Sequence, residues 1–214
     1  MINNSNYIIL MADIIDSRDY DQAQLMIDFK FITEHVNDHF RNKFLSPITI
    51  TLGDEFQCVF ENMTNAMSII FEIEETIIKR RRDFKLRYVI VEGEIATPIN
   101  NINGYGMMGK GLTEARENLN EIKSNKIRFY TFLNNNERSH VLNAAFLIYQ
   151  DYLDSWNFEK DYEMVSNFLN TQDYKKVADE MKKTRSQVWK REKSLKIYEY
   201  LAIKNVINYI GSIK

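Results

Sequence analysis

The chain has 214 residues, enough for one large domain or for a domain with a small module, and its two prolines and seven glycines exclude a disordered or linker-rich protein. Hydrophobic residues make up 44% of it, enough for a real core, while a single cysteine, Cys58, excludes an internal disulfide and a cysteine-based zinc site. The formal charge of −2 hides an asymmetry: residues 175–196 hold nine basic and three acidic side chains, a net of +6 that leaves −8 for the rest.

YIILMAD, residues 7–13, predicts a short buried strand ending in an acid. It is far shorter than a membrane span and carries no basic leader or cleavage site, so the expected compartment is the cytoplasm, with no membrane partner. From Asp21 to Phe44, the residues Leu25, Phe29, Ile32, Val36 and Phe40 recur at helical intervals and predict an amphipathic helix. His35 and His39 stand four apart on it, but with no HExxH signature or third ligand they read as a solvated face. PITITLGDEFQCVFEN, residues 47–62, predicts two short strands meeting at Gly53-Asp54, and helical periodicity returns from Met63 to Arg82. FKLRYVIVEGEI, residues 84–95, is a further strand. An Asn- and Gly-rich loop then leads to a helix over 112–122 and to the strand IRFYTFL, residues 127–133.

This order, β-α-β-β-α-β and then α-β, predicts an α+β protein with a ferredoxin-like (split βαβ) antiparallel sheet covered on one face by helices. From about Asn136 the pattern is helical throughout, so the expected domains are 1–135 and 136–214. In such a sheet the first strand is central and lies beside the hairpin. Asp13 and Asp54 are then expected side by side at one sheet end, where a hard cation relieves their repulsion. Magnesium is the expected ion, since it takes one or two carboxylates and leaves positions for phosphate. The plain alternative is that Gly53-Asp54 is an ordinary hairpin turn.

These segments carry a resemblance. ADIIDSR, residues 12–18, resembles the first-metal motif of class III nucleotidyl cyclases, and LGDEF, residues 52–56, resembles both the hairpin of those cyclases and the GGDEF signature of diguanylate cyclases. KLRYVIVEGEI and GLTEAR resemble the following cyclase strand and the helix that carries a transition-state arginine. The resemblance implies a cyclase-type palm in which Asp13, Asp54 and the backbone of Ile14 hold metal. It further implies that Glu55 takes the second acidic place of the signature, that Gly53 admits phosphate to the backbone, and that Arg116 faces the triphosphate. Arg18 follows the first ligand at the mouth of a helix, where anions are favoured. Leu112, Ile50 and Leu52 depart from the cyclase pattern at the positions for transition-state stabilisation, purine reading and the first signature glycine. GYGMMGKG, residues 104–111, satisfies GxGxxG, yet Gly111 stands where a P-loop needs a hydroxyl, so it reads as a loop from which Lys110 could reach a phosphate. Taken together, DIIDSR, TLGDEFQ, LRYVIVEGEI and GLTEAR with a helical tail are similar to the SatD family of bacterial proteins.

In the tail, DYKKVADEMKKTRSQVWKRE, residues 173–192, has the spacing of a helix-turn-helix. Val177, Ala178, Met181 and Val188 would pack its interior, and Thr184, Arg185, Gln187, Lys190 and Arg191 would face phosphates and base edges. It resembles sigma-factor region 4, with Lys182 in place of the turn glycine and Lys183 in place of the apolar residue beside it. The aliphatic and aromatic run LKIYEYLAIKNVINYI, residues 195–210, supports the rival reading of a docking or dimerisation module, and so a homodimer. The expected protein is a cytoplasmic bacterial regulator. Its palm binds magnesium and a nucleotide or other phosphorylated ligand, and its tail binds double-stranded DNA. The alternatives are a cyclase-like phosphoryl-transfer enzyme and a degenerate palm that binds proteins.

Overall fold

A computed structural model describes residues 6–213. Its first strand, β1 (Asn6–Ile14), is central because both of its faces are apolar. Ile8, Leu10, Ala12 and Ile14 are buried on one side, and Ile9 and Met11 on the other. Helix α1 (Gln22–His39) opens on Asp21, whose carboxylate accepts from the Ala23 and Gln24 amides at 3.0 and 3.1 Å. Leu25, Phe29, Ile32 and Val36 are buried as their spacing demands, but the helix stops five residues short of Phe44. A 3-10 turn, Arg41–Lys43, takes over, with Phe40 and Phe44 still packed on the core. Apolar spacing records which side chains face inward, and a tighter turn satisfies it as well as an α-helix does.

Strands β2 (Ser46–Ile50) and β3 (Glu55–Phe60) form the hairpin, α2 (Met63–Lys79) follows, and β4 (Leu86–Glu94) returns beside β1. After α3 (Lys110–Ile122) comes β5 (Phe129–Phe132). The sheet order is β2-β3-β1-β4-β5; the first four strands pair antiparallel, and β5 runs parallel to β4. The protein is therefore a mixed α+β fold around a five-stranded mixed sheet.

One expectation needs correction. Helices cover both faces of the sheet, not one: α3 lays Ala115, Leu119 and Ile122 on Ile9, Met11, Val89 and Val91. The unbroken apolar run of β1 is the sequence mark of such two-sided burial. The first turn of α3 lies directly on β4, since a Cβ on Gly111 would stand 2.7 Å from the carbonyl carbon of Gly93. A Cβ on Gly109 would likewise stand 2.5 Å from the Glu94 oxygen. Gly109 and Gly111 of GYGMMGKG thus serve close packing against β4 and the residues after it. Gly111→Ala is expected to destabilise the fold by about 1–3 kcal/mol through overpacking. Urea unfolding measures this, and a midpoint equal to wild type would show that the approach is not tight.

Both sheet edges are closed by an asparagine amide. On β2, Asn37 donates to the Ile48 carbonyl at 2.8 Å and accepts from the Ile48 amide at 2.9 Å. On β5, Asn143 accepts from the Thr131 amide at 2.7 Å and donates to the Thr131 carbonyl at 3.1 Å. Each side chain satisfies backbone groups that another strand would otherwise seek.

Asn143 belongs to α4 (Asn136–Ser155), followed by α5 (Phe158–Thr171), α6 (Tyr174–Glu180), α7 (Arg185–Ser194) and α8 (Ile197–Ser212). Helix α4 packs along β5, α5 and α8 pack on α2, and α8 also packs on α4. One buried apolar cluster runs from Ile8 through the sheet to Ile210. Residue 135 is where strands give way to helices along the chain, but this cluster continues past it. No helix among the described residues is long and apolar enough to cross a membrane.

Candidate functional site

The hairpin register sets Asp13 opposite Glu55 on one side and opposite Arg87 on the other, so the three side chains form a row across β3, β1 and β4. The row lies on the α3 face, because Asp13 follows Ile9 and Met11 in the strand alternation. Like charges directly opposite each other in a sheet destabilise it, so Asp13 and Glu55 need cations. Arg87 donates to both Asp13 oxygens, at 3.2 and 3.1 Å. Lys123, at the C-terminal cap of α3, bridges the two acids at 3.4 Å from Asp13 and 3.1 Å from Glu55. Arg116, seven residues earlier on α3, pairs with Glu55.

Burial pushes the Asp13 carboxyl above its usual pKa, and the charges of Arg87 and Lys123 offset that only in part. The acids are sealed, with side chains 6% and 8% exposed, whereas Arg116 and Lys123 are 31% and 39% exposed. The cationic side of the cluster is therefore the side that solvent reaches. Arg87 Nε is buried and has no hydrogen-bond partner.

Of the expected site residues, the structure joins Asp13, Glu55 and Arg116. Asp54 precedes the strand residue opposite Asp13, and its backbone oxygen accepts from the Ile14 amide at 2.9 Å. Its carboxylate accepts from Ser17 Oγ at 2.6 Å, which ties the hairpin to the loop after β1. Gly53 takes a positive φ of 81° at the turn, which a glycine adopts freely, and the space above it is open. Arg18 lies exposed in a 3-10 turn, Ser17–Asp19, that ends two residues before Asp21, the N-cap of α1. Lys110 is remote, since the neighbouring Gly111 packs on Gly93, six residues and about 20 Å along β4 from Arg87.

Two members of the cluster escaped sequence reasoning. Arg87 shares the inward alternation of Val89 and Val91, and a basic residue in that register is a signal of an internal partner. Lys123 follows Arg116 by two helical turns and flanks the buried stripe Ala115, Leu119 and Ile122. As arranged, two acids face three bases, and among the described residues no group of three or more His, Cys, Asp or Glu side chains could hold a metal.

In the tail, Val177, Ala178 and Val188 are buried and Met181 is half-buried, so α6 and α7 pack on each other through the expected side chains. Lys182 occupies the left-handed region at φ 53° between them, where a glycine would be commoner. Of the five expected DNA contacts, Arg185 and Lys190 are exposed and make no ion pair among the described residues. Thr184 and Gln187 instead form a capping box that starts α7. Arg191 is held by Asp161 of α5 and donates to Ser194 at 3.0 Å.

Among solved structures the chain is similar to one of a bacterial light-regulated adenylyl cyclase, with a TM-score of 0.40 at 10% identity, over 59% of this chain and 43% of that one. The chain thus spans less than half the length of that protein. No curated protein matches it. The strands, the row of charges and the helical tail all fall within residues 7–210, which match the SatD family model, and the chain belongs to the SatD family.

Proposed function

We propose that this SatD-family chain is a cytoplasmic bacterial regulator that binds a phosphorylated small molecule at the Asp13–Glu55 cluster and duplex DNA through α6 and α7. In this reading β1 to β4 with α1 and α2 are a ferredoxin-like palm, and α6 with α7 is a helix-turn-helix. The ligand half rests on one observation: cations outnumber acids in the cluster, and Arg87 Nε is a buried donor lacking an acceptor. Such a donor carries a desolvation penalty that an oxyanion relieves. A phosphate at the exposed side would draw Arg116 and Lys123 from Glu55 into charge-assisted hydrogen bonds.

Calorimetric titration with pyrophosphate and nucleoside triphosphates tests this half. Arg116→Ala and Lys123→Ala are each expected to weaken binding about tenfold or more, since a hydrogen bond to a charged group contributes roughly 1.5–3 kcal/mol. Binding should persist in EDTA, because the acids of the cluster are already paired with Arg87, Lys123 and Arg116 and no metal is needed to neutralise them. A wild type that binds none of these compounds at millimolar concentration, or variants that bind like wild type, would remove the ligand.

The DNA half is favoured by the burial pattern, which hides Val177, Ala178 and Val188 and leaves Lys182, Lys183, Arg185, Lys190 and Lys193 exposed. Fluorescence anisotropy on a labelled duplex should show affinity falling steeply with salt, as counterion release requires. Salt-insensitive or absent binding would leave α6 and α7 as a docking module.

A further inference from the structure

Helix α5, the turn from α6 to α7, and α7 itself enclose a cavity of about 300 Å³. Cations converge on it from all three elements: Lys160 from the first turn of α5, Lys183 from the turn and Arg191 from α7. Like charges gathered round one space repel each other, so each needs a counter-ion. Arg191 has one in Asp161. Lys160 and Lys183 are exposed, and their ammonium groups have no hydrogen-bond or ion-pair partner among the described residues. The one acid that lines the cavity, Glu163, is already paired with Arg81 at 2.8 Å. Gln187 adds a further donor. Its amide oxygen accepts from the Thr184 amide and hydroxyl at 3.1 and 3.0 Å, while its nitrogen has no acceptor among the described residues. Beside these polar groups lie two thioethers, Met164, which is 6% exposed, and Met181, which is half-buried. Methionine is apolar and bends to fit, which suits it to a ligand surface.

The geometry points to a binding site for a small organic acid, its carboxylate held by Lys160 and Lys183 and its apolar body laid on Met164 and Met181. Charge sets the sign of the ligand, since donors and cations face the space once Glu163 is paired elsewhere. The methionines set its body, because an inorganic anion would leave them uncovered. Volume sets its size: about 300 Å³ is the space of roughly ten waters and the lower end of the range for small-molecule pockets. An acid as small as benzoate fits. The lysine contacts are then charge-assisted hydrogen bonds. None of these residues belongs to the Asp13–Glu55 cluster, so the site stands whether or not that cluster takes a phosphorylated molecule.

Lys183 and Arg191 also belong to the segment that the DNA reading uses. A carboxylate beside them would lessen their attraction for a duplex phosphate. That consequence rests on the DNA-binding reading, and the site does not. Calorimetric titration of the full chain with benzoate tests it, with benzamide as the uncharged body and inorganic phosphate as the anion lacking a body. Wild type is expected to bind benzoate more tightly than either control. Lys160→Gln and Lys183→Gln should each weaken benzoate binding about tenfold, the worth of a hydrogen bond to a charged group, with an unchanged circular dichroism spectrum. A wild type that takes up no benzoate at millimolar concentration overturns the site. Phosphate bound as tightly as benzoate reduces the cavity to a cationic surface, and benzamide bound as tightly reduces it to an apolar cleft; either result overturns the proposal. Lysine variants that bind benzoate like wild type overturn it too, since the acid then sits elsewhere. A chain that binds benzoate and no duplex defeats only the DNA reading, and one that binds duplex and no benzoate defeats only the cavity.

Discussion

Arg128→Met is expected to remove about 3–5 kcal/mol of folding stability, because it strands a buried carboxylate. Arg128 is 4% exposed, and its guanidinium spans the join between sheet and helices. It donates to Glu74 of α2 at 2.6 Å, to Asp154 of α4 at 3.0 Å and to the Leu86 carbonyl of β4 at 3.0 Å. Burial opposes the charge on Arg128, but Glu74 and Asp154 outweigh it and hold the pKa above that of free arginine. Removing the cation leaves Glu74, 5% exposed, with the Tyr88 hydroxyl at 2.9 Å as its remaining strong partner. Urea unfolding gives the measurement, and the double variant Arg128→Met/Glu74→Leu adds a sharper test. An apolar pair of similar volume is often neutral in such a place, so the double variant should regain most of what the single one loses. A single variant within about 0.5 kcal/mol of wild type, the range usual for surface changes, would sink the idea that this residue joins the two parts.

Arg185→Glu combined with Lys190→Glu is expected to weaken duplex binding about a hundredfold and to lower the salt slope by about two. One lost base contact is worth roughly 1–3 kcal/mol, and each lost phosphate contact takes about one from the slope. Both side chains lie outside the packed side of α7, which is fixed by Val188, so the fold should be unaffected. Gln187→Ala should act differently. It breaks the capping box with Thr184 and would loosen α7 by about 1 kcal/mol, with little effect on the salt slope. Reversal variants that bind as tightly as wild type would take DNA off this helix.

Much of the scaffold is legible one residue at a time. The apolar spacing of Leu25, Phe29, Ile32 and Val36, the continuous run of β1 and the turn at Gly53 each follow from local rules of periodicity and backbone freedom. So does the interior of α6 and α7, since Val177, Ala178 and Val188 bury as their spacing demands. The helix end at His39 is less legible. Phe40 and Phe44 continue the apolar spacing, and nothing local shows that a 3-10 turn carries them.

The site divides in the same way. Asp13, Glu55 and Arg116 can be picked out as charged residues in suggestive places, but their partners cannot. Asp13 meets Arg87 across 74 positions of chain and Lys123 across 110, through the strand register and the seat of α3 on the sheet. Asp54 and Glu55 are adjacent in sequence, yet one holds Ser17 and the other stands opposite Asp13. By itself the sequence determined which residues turn inward, where most helices and strands lie and that the tail is basic, because periodicity, capping and charge are local properties. Only the tertiary structure decided that both sheet faces are covered, which acid stands beside Asp13 and that the cluster holds more cations than acids. Those facts depend on which distant segments share a register, and no nearby residue encodes that.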